Sequence, residues 1–442
     1  MSQTSHYEKY NKKNYVFVVA STIILLMLCE LFSYVYLAFS SGPISSDDFR
    51  MGKPEAYKKS PYFSKRFIAE SIASGSIFYT PNESRIILAH DFNGNFINVE
   101  SGDRLTFPKI EGQNKLYLFG GSTVYSGEVP DYYTIPSLLS RFMSDNGLSS
   151  HEVINKGVTS VNVTQQVEYL KTVQIKSGDL VIFYSGVNDI LQGLYFGNPE
   201  GTIISQQSHN KSVALNNKVD KVLLRVNTYR LLKRLANSFY QPKHLKSKVE
   251  LTSLANNVEA VYKSNILRAK EITEKSGGIF LNVVQPNLYS KSYKSKNEKW
   301  IDENVAFRGL QAAFEIGNEA LKRASIDLSR KGVNSTNFET IFNDLEEECF
   351  LDGYHVTEIC NGIAASQLYE LIFKKKNRSS VRSYLNLIHY QYVDEMEKDY
   401  LYTRKKSTHA KLVKSIKEFV PDNFFGEFDK KKLRQNKLDG FF

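Results

Sequence analysis

The chain predicts an α/β fold, a central parallel sheet covered by helices, preceded by one membrane-spanning helix. Three observations carry this. From residue 115 onward, apolar runs of strand length alternate with amphipathic stretches of helix length, the pattern of parallel strands joined by helical crossovers. The runs are continuous and do not alternate apolar with polar, which suits strands buried on both faces. Near the N-terminus, residues 15–39, YVFVVASTIILLMLCELFSYVYLAF, form one apolar run, and about 20 such residues cross a bilayer as a helix.

Residues 1–14 carry Lys9, Lys12 and Lys13, whereas Asp47 and Asp48 follow the apolar run. Cations flanking one end orient a span with that end in the cytoplasm, so the rest of the chain is expected in the periplasm or outside the cell. Glu30 is the one charge in the run. A lone carboxylate is costly there and is expected near an interface or against a partner helix. AFS at 38–40 also fits a signal-cleavage site, but the run is long for a cleaved signal.

Residues 40–114 read as a stem and lead-in. HDFNGNFINVESGDRLTF suggests a small hairpin there, with turns at NGN and SGD. The strands then follow as KLYLFGG, EVINKG at 152–157, DLVIFYSG at 179–186, GIFLNVVQP at 278–286 and a weaker NFETIFND at 337–344. Helices are expected in YTIPSLLSRFMSDNG, VTQQVEYLKTVQIKSG and NNVEAVYKSNILRAKEITEKSGG. Nearly ninety residues separate the third and fourth strands, so an insertion is expected at about 191–260. It holds the amphipathic VDKVLLRVNTYRLLKRLANSF (219–239) and reads as a cap over the site. The α/β domain spans 115–374, and 375–442 is a basic, helix-prone extension.

The balance of 42% hydrophobic and 24% charged residues is that of a globular chain. The formal charge of +10 is concentrated at the end, where residues 374–442 hold 17 Lys/Arg against 9 Asp/Glu. No nucleic-acid motif and no zinc spacing accompanies it, so it reads as a solvated helical surface; no nucleic-acid partner, metal or cofactor is expected. Of the three cysteines, Cys29 lies in the apolar run, while Cys349 and Cys360 lie beyond it. An oxidising exterior permits that pair to form a disulfide, and two free thiols are the alternative.

Ligands of parallel α/β sheets bind beyond the carboxyl ends of the strands, and the reactive side chains fall there. Ser122 follows the first run, NKGVTSVN the second, SGVND with Asn188 and Asp189 the third, and LDGYHVTEICNG with Asp352 and His355 the last. A serine hydroxyl needs a base, usually His, and the His needs a carboxylate to hold its tautomer. Asp352 lies three residues before His355, close enough to serve from one loop. The backbone N–H groups of Ser122 and of the loop after the second strand, with the Asn188 amide, can supply an oxyanion hole. Ser122 taken alone fits a helix cap equally well. Asp189 reads as structural.

In this order the blocks resemble the SGNH (GDSL-type) hydrolase family, whose Ser, Gly, Asn and His occupy successive blocks ending in a DxxH dyad. FGGSTVYSGEVPD is similar to the first block of a subgroup reading FGGST, VIFYSGVND to the third, and DGYHVTEICNGIA to the fifth. The resemblance covers about residues 115–374. It implies a flavodoxin-like three-layer sandwich with strand order 2-1-3-4-5, Ser122, His355 and Asp352 as catalytic residues, and an esterase or acyltransferase activity. There are two departures. Ser160 stands where the second block has a glycine, with Gly157 three residues earlier as the alternative donor, and Asn361-Gly362 reverses the usual order after the histidine.

The expected substrate is an acyl, most simply acetyl, ester of an extracytoplasmic carbohydrate, with the membrane as partner through residues 15–39. Two other readings stand beside it: a lysophospholipase or thioesterase with a lipid-binding lid, and a non-catalytic assembly protein on the same scaffold.

Overall fold

The computed structural model describes residues 3–39, 87–201, 247–303 and 310–374, with single residues or short pieces within 60–79, within 226–232 and at 381. The 375–442 extension, Val381 aside, lies outside the described residues. Contacts divide the chain into two compact units, Met1–Ser46 with Asn210–Lys243, and Asp47–His209 with His244–Phe442.

In the first unit, Gln3–Phe39 is one helix, α1. Its Tyr15–Val35 segment is long and apolar enough to cross a membrane, and its large side chains from Tyr15 to Val35 are mostly exposed. The hydroxyls of Ser21 and Thr22 donate to carbonyls one turn back, so neither is left unsatisfied in an apolar medium. Glu30 meets the insertion: its Oε2 accepts hydrogen bonds from Thr228 N (2.9 Å) and Oγ1 (3.0 Å). Ser33 Oγ donates to the same Thr228 hydroxyl at 3.4 Å. The inserted helix expected at 219–239, and its role as a cap, fall outside the described residues apart from Val226, Thr228, Tyr229, Leu231 and Leu232.

In the second unit a two-stranded antiparallel ladder, β1 (Ile77–Tyr79) and β2 (Ile87–Ala89), precedes an eight-stranded sheet. Five strands are parallel: β6 (Asn114–Gly120), β7 (His151–Gly157), β8 (Leu180–Ser185), β9 (Ile279–Val284) and β10 (Asn334–Asn337). They lie in the order β7-β6-β8-β9-β10, the 2-1-3-4-5 order of the flavodoxin-like fold. Successive side chains of a strand point to opposite faces, and here they fill two cores. Leu116, Leu118, Ile182, Tyr184, Leu281 and Val283 join one core, with Leu138 and Leu139 of α3 (Ile135–Asp145) and Ala364 and Leu368 of α9 (Glu358–Phe373). Tyr117, Phe119, Val181, Phe183, Phe280 and Val284 join the other. That core includes Val163 and Val167 of α4 (Val163–Leu170), Val258 and Ile266 of α6 (Lys248–Lys275), and Phe314 and Leu321 of α8 (Leu310–Arg330). Covering both faces explains the unbroken apolar run of β8, buried throughout.

The hairpin expected in the lead-in is present: β3 (Phe92–Asn93), β4 (Asn98–Glu100) and β5 (Asp103–Arg104) are antiparallel, and they extend the main sheet at its edge, with Arg104 opposite Asn155 of β7. Phe96 and Ile97 from the turn join the core. One element differs from the sequence expectation. The fifth parallel strand ends at Asn337, where the run at 337–344 was expected to begin it. Asn337 Oδ1 accepts from Glu339 N at 2.8 Å, a side-chain turn that competes with the ladder, and Phe338 and Phe342 enter the core from the turn that follows.

Candidate functional site

Ser122 opens the short helix α2 (Ser122–Tyr125) directly after β6. The two glycines before it make room. A side chain on Gly120 would meet Val124 and the Tyr184 carbonyl, and one on Gly121 would lie 2.3 Å from Asn188 Nδ2. The amide of Asn188, on the short helix α5 (Val187–Ile190), therefore lies against Gly121. One of its hydrogens goes to the Val161 carbonyl at 2.8 Å, which orients the group.

Asp352 and His355 lie in the loop after β10. Asp352 Oδ1 accepts the backbone N–H groups of Tyr354 (2.9 Å) and His355 (2.8 Å). Its Oδ2 lies 2.6 Å from His355 Nδ1. Both lone-pair faces of the carboxylate are thus used, one to shape the loop and one to hold the ring. A carboxylate at Nδ1 keeps the proton there, so Nε2 is the acceptor for Ser122 Oγ, 2.8 Å away. Serine, histidine and aspartate form one hydrogen-bonded relay, with His355 and Asp352 both buried.

Two supports fix this loop. Glu298, buried on α7 (Lys296–Glu303), accepts from the backbone of Cys349 (2.9 Å) and Phe350 (3.0 Å) and pairs with buried Lys291 at 2.8 Å. Cys349 and Cys360 are joined by a disulfide that spans the dyad.

The loop after β7 carries the other candidate donors. Ser160 has φ +64°, the left-handed region that glycine favours, so the chain keeps a glycine-like backbone where the resemblance expects a glycine. α4 starts two residues after Val161, with Asn162 and Gln165 in a reciprocal cap. Gly157 does not offer a free donor: its N–H goes to Asn155 Oδ1 at 2.8 Å. Its missing side chain serves packing, since a Cβ there would lie 2.2 Å from Tyr125 N. Asp189 faces away from the relay. Its Oδ1 accepts from Val163 N at 3.2 Å, joining the Asn188 turn to the start of α4, and burial pushes its carboxyl up to about 7.

The sequence reading missed three residues that shape the site. Asn155, buried in β7, donates to the Val124 carbonyl at 3.1 Å. Buried Arg104 donates to the carbonyls of Tyr125, Ser126 and Val129 while pairing with Asp131 at 2.9 Å. Glu128 brings a second carboxylate to His355, with Oε1 3.6 Å from Nε2. An asparagine amid a buried strand was a readable signal; the other two depend on long-range pairing. Among the described residues, no group of three or more His, Cys, Asp or Glu side chains is arranged to hold a metal ion.

No family model matches the chain, and no curated protein matches it. Among solved structures, Axe2, an acetylxylan esterase from Geobacillus stearothermophilus, is 13% identical over 62% of this chain and 100% of its own, with a TM-score of 0.33. The acetyl xylan esterase AlAXEase is 13% identical over 58% of this chain and 99% of its own, at 0.32. A structure from Desulfitobacterium hafniense DCB-2, described as of the lipolytic G-D-S-L family, is 11% identical over 59% of this chain and 100% of its own, at 0.33.

Proposed function

We propose that the protein is a serine esterase or O-acyltransferase of the SGNH (GDSL-type) kind, anchored in a membrane by residues 15–39 and acting on acetyl esters of an extracytoplasmic carbohydrate. The observation that carries the reading is the relay in which Ser122 Oγ, His355 and Asp352 are linked at 2.8 and 2.6 Å. A buried imidazole held at Nδ1 by a carboxylate and touching a serine through Nε2 is the arrangement acyl transfer requires.

His355 takes the Ser122 proton as Oγ attacks the acyl carbon. The oxyanion is met by the Ser122 and Ser160 backbone N–H groups and by the second hydrogen of Asn188 Nδ2. His355 then protonates the departing alcohol, which leaves an acyl-serine. Water or an acceptor alcohol gives its proton to Nε2, attacks the acyl carbon and expels Ser122. Hydrolysis and transfer differ only in that acceptor.

Labelling with a fluorophosphonate tests the nucleophile. The wild-type chain is expected to react and Ser122→Ala to be inert. A Ser122→Ala variant that still labels, or still cleaves p-nitrophenyl acetate at near-normal rate, overturns the assignment. Mass spectrometry of envelope glycans with and without the protein then tells whether acyl groups are removed or added; glycans identical in both cases overturn the carbohydrate reading.

A further inference from the structure

Glu128 has no part in the relay described above. Its side chain is 7% exposed, and its Oε1 lies 3.6 Å from His355 Nε2. That nitrogen is the one that trades protons with the substrate, because Nδ1 is committed to Asp352. In acyl transfer the oxygen of the departing alcohol, and later that of the acceptor, comes within about 3 Å of the base. A carboxylate bordering the same nitrogen therefore borders the alcohol half of the substrate.

The backbone around Glu128 is built to hold it there. Gly127 O accepts from Ser71 Oγ at 2.5 Å, Val129 O accepts from Arg104 Nη2 at 2.6 Å, and Val129 N donates to Ser126 O at 3.2 Å. The nearby guanidinium of Arg104 takes Asp131 as its carboxylate partner, and Glu128 is turned to the imidazole.

We propose that Glu128 binds the alcohol half of the substrate, and that this half carries a second hydroxyl beside the reacting one, as a sugar does. An ionised carboxylate only accepts hydrogen bonds, so it selects a group with an additional O–H donor over a simple alcohol. The inference rests on the acyl-enzyme reading above and narrows its substrate to polyols. In deacylation the reacting hydroxyl gives its proton to Nε2 as its oxygen bonds the acyl carbon. The bond from that carbon to Ser122 Oγ breaks, and Oγ takes the proton back. The neighbouring hydroxyl donates to Glu128 throughout and undergoes no net change.

The test uses the full-length chain in detergent, acetylated by p-nitrophenyl acetate and offered ethanol and ethylene glycol at equal concentration. The ratio of glycol monoacetate to ethyl acetate is read within one acetyl-enzyme, so a slower variant does not blur it. Wild type is expected to favour glycol about tenfold or more, the scale of one hydrogen bond to a charged group. Glu128→Gln and Glu128→Ala should drop the ratio toward the statistical factor of about two that glycol's pair of hydroxyls gives. A wild-type ratio already near that factor, or a preference that survives both variants, overturns the proposal while a normal acylation burst leaves the serine reading standing. Absence of any Ser122-dependent release of p-nitrophenol overturns the serine reading, and this inference with it.

Discussion

Ser160 shows how a single residue can depart from a pattern and keep its geometry. Its φ of +64° is a conformation that costs an L-residue about 1–2 kcal/mol, whereas glycine adopts it freely but loses about 0.4–1 kcal/mol through the unfolded chain. Ser160→Gly is therefore expected to leave stability unchanged or raise it by up to about 1 kcal/mol, with kcat retained, because the oxyanion donor proposed here is the backbone N–H. Ser160→Val should destabilise; a Gly variant that loses both stability and kcat would contradict this account in denaturant melts and initial rates. Asn188→Ala should lower kcat by about a hundred- to thousandfold, as loss of an oxyanion donor does; a raised KM at constant kcat would make it a ground-state contact. Asp189 predicts a pH effect. Burial raises its folded pKa to about 7 from an ordinary value of 3.8, so between these limits the folded state binds more protons than the unfolded. Stability from this group is full below the lower value and is lost as pH rises through the upper one, by as much as about 4 kcal/mol for a shift of this size. Asp189→Asn should gain on wild type from pH 5 to pH 8 in parallel denaturant melts, and a pH-independent difference would rule this out. Ser122 and Asn188 were legible in sequence because each follows directly on an apolar strand, and Asp352 and His355 because they share one short DxxH spacing. Glu128 and Arg104 were not, because a carboxylate in a turn and a guanidinium on a two-residue edge strand read as solvated until the fold buries them.

At the scale of an element, the dyad loop is short, irregular and fixed at both ends. Phe350 and Val356 form a lone antiparallel bridge, Leu351 N donates to His355 O at 2.8 Å, and Thr357 N donates to Cys349 O at 2.8 Å. The Cys349–Cys360 disulfide closes this same loop over a separation of 11 residues, worth about 3 kcal/mol by the chain-entropy account. Cys349→Ser is expected to cost about that much, read as a lowered denaturant midpoint, and to reduce kcat before the domain unfolds, because His355 loses part of its tether. A kcat unchanged up to the unfolding transition would show that Glu298 and Asp352 suffice. Removing Glu298 should cost more, since it would strand the buried Lys291 ammonium; breaking such a pair costs about 3–5 kcal/mol. Of this element the sequence displayed the cysteine spacing and the DxxH pattern. Glu298 lies 51 residues from Cys349 and within a polar helix, and its burial arises only when α7 packs beneath the loop. The strands were legible in kind because burial on both faces leaves a continuous apolar run. The end of β10 was not, because Phe338 and Phe342 look like strand residues and are core residues of a turn.

At the scale of the whole chain, two independent features bear on which side of a membrane the chemistry takes place. One is charge: Lys9, Lys12 and Lys13 precede the Tyr15–Val35 segment, which is long and apolar enough to cross a membrane, and Asp47 and Asp48 follow it, so the positive-inside rule predicts a cytoplasmic N-terminus. The other is redox chemistry: the disulfide between two fully buried cysteines of the catalytic unit belongs to an oxidising compartment, since cytosolic thiols are kept reduced. They rest on different residues and predict one orientation. A fluorescent reporter that matures only in the cytoplasm, fused after Phe442, is expected to stay dark, while the same reporter fused ahead of Met1 should be bright. In the same cells, alkylation before reduction should leave Cys349 and Cys360 unmodified. A bright C-terminal fusion together with two alkylated thiols would invert the topology and remove the extracytoplasmic substrate. A dark fusion with alkylated thiols would keep the topology and make the disulfide dispensable. Moving the three lysines to the far side of the span then separates charge from everything else. If charge sets the orientation, the C-terminal reporter should light up and the disulfide should be lost with it, which would tie the redox state of the dyad loop to residues more than three hundred positions away in the sequence.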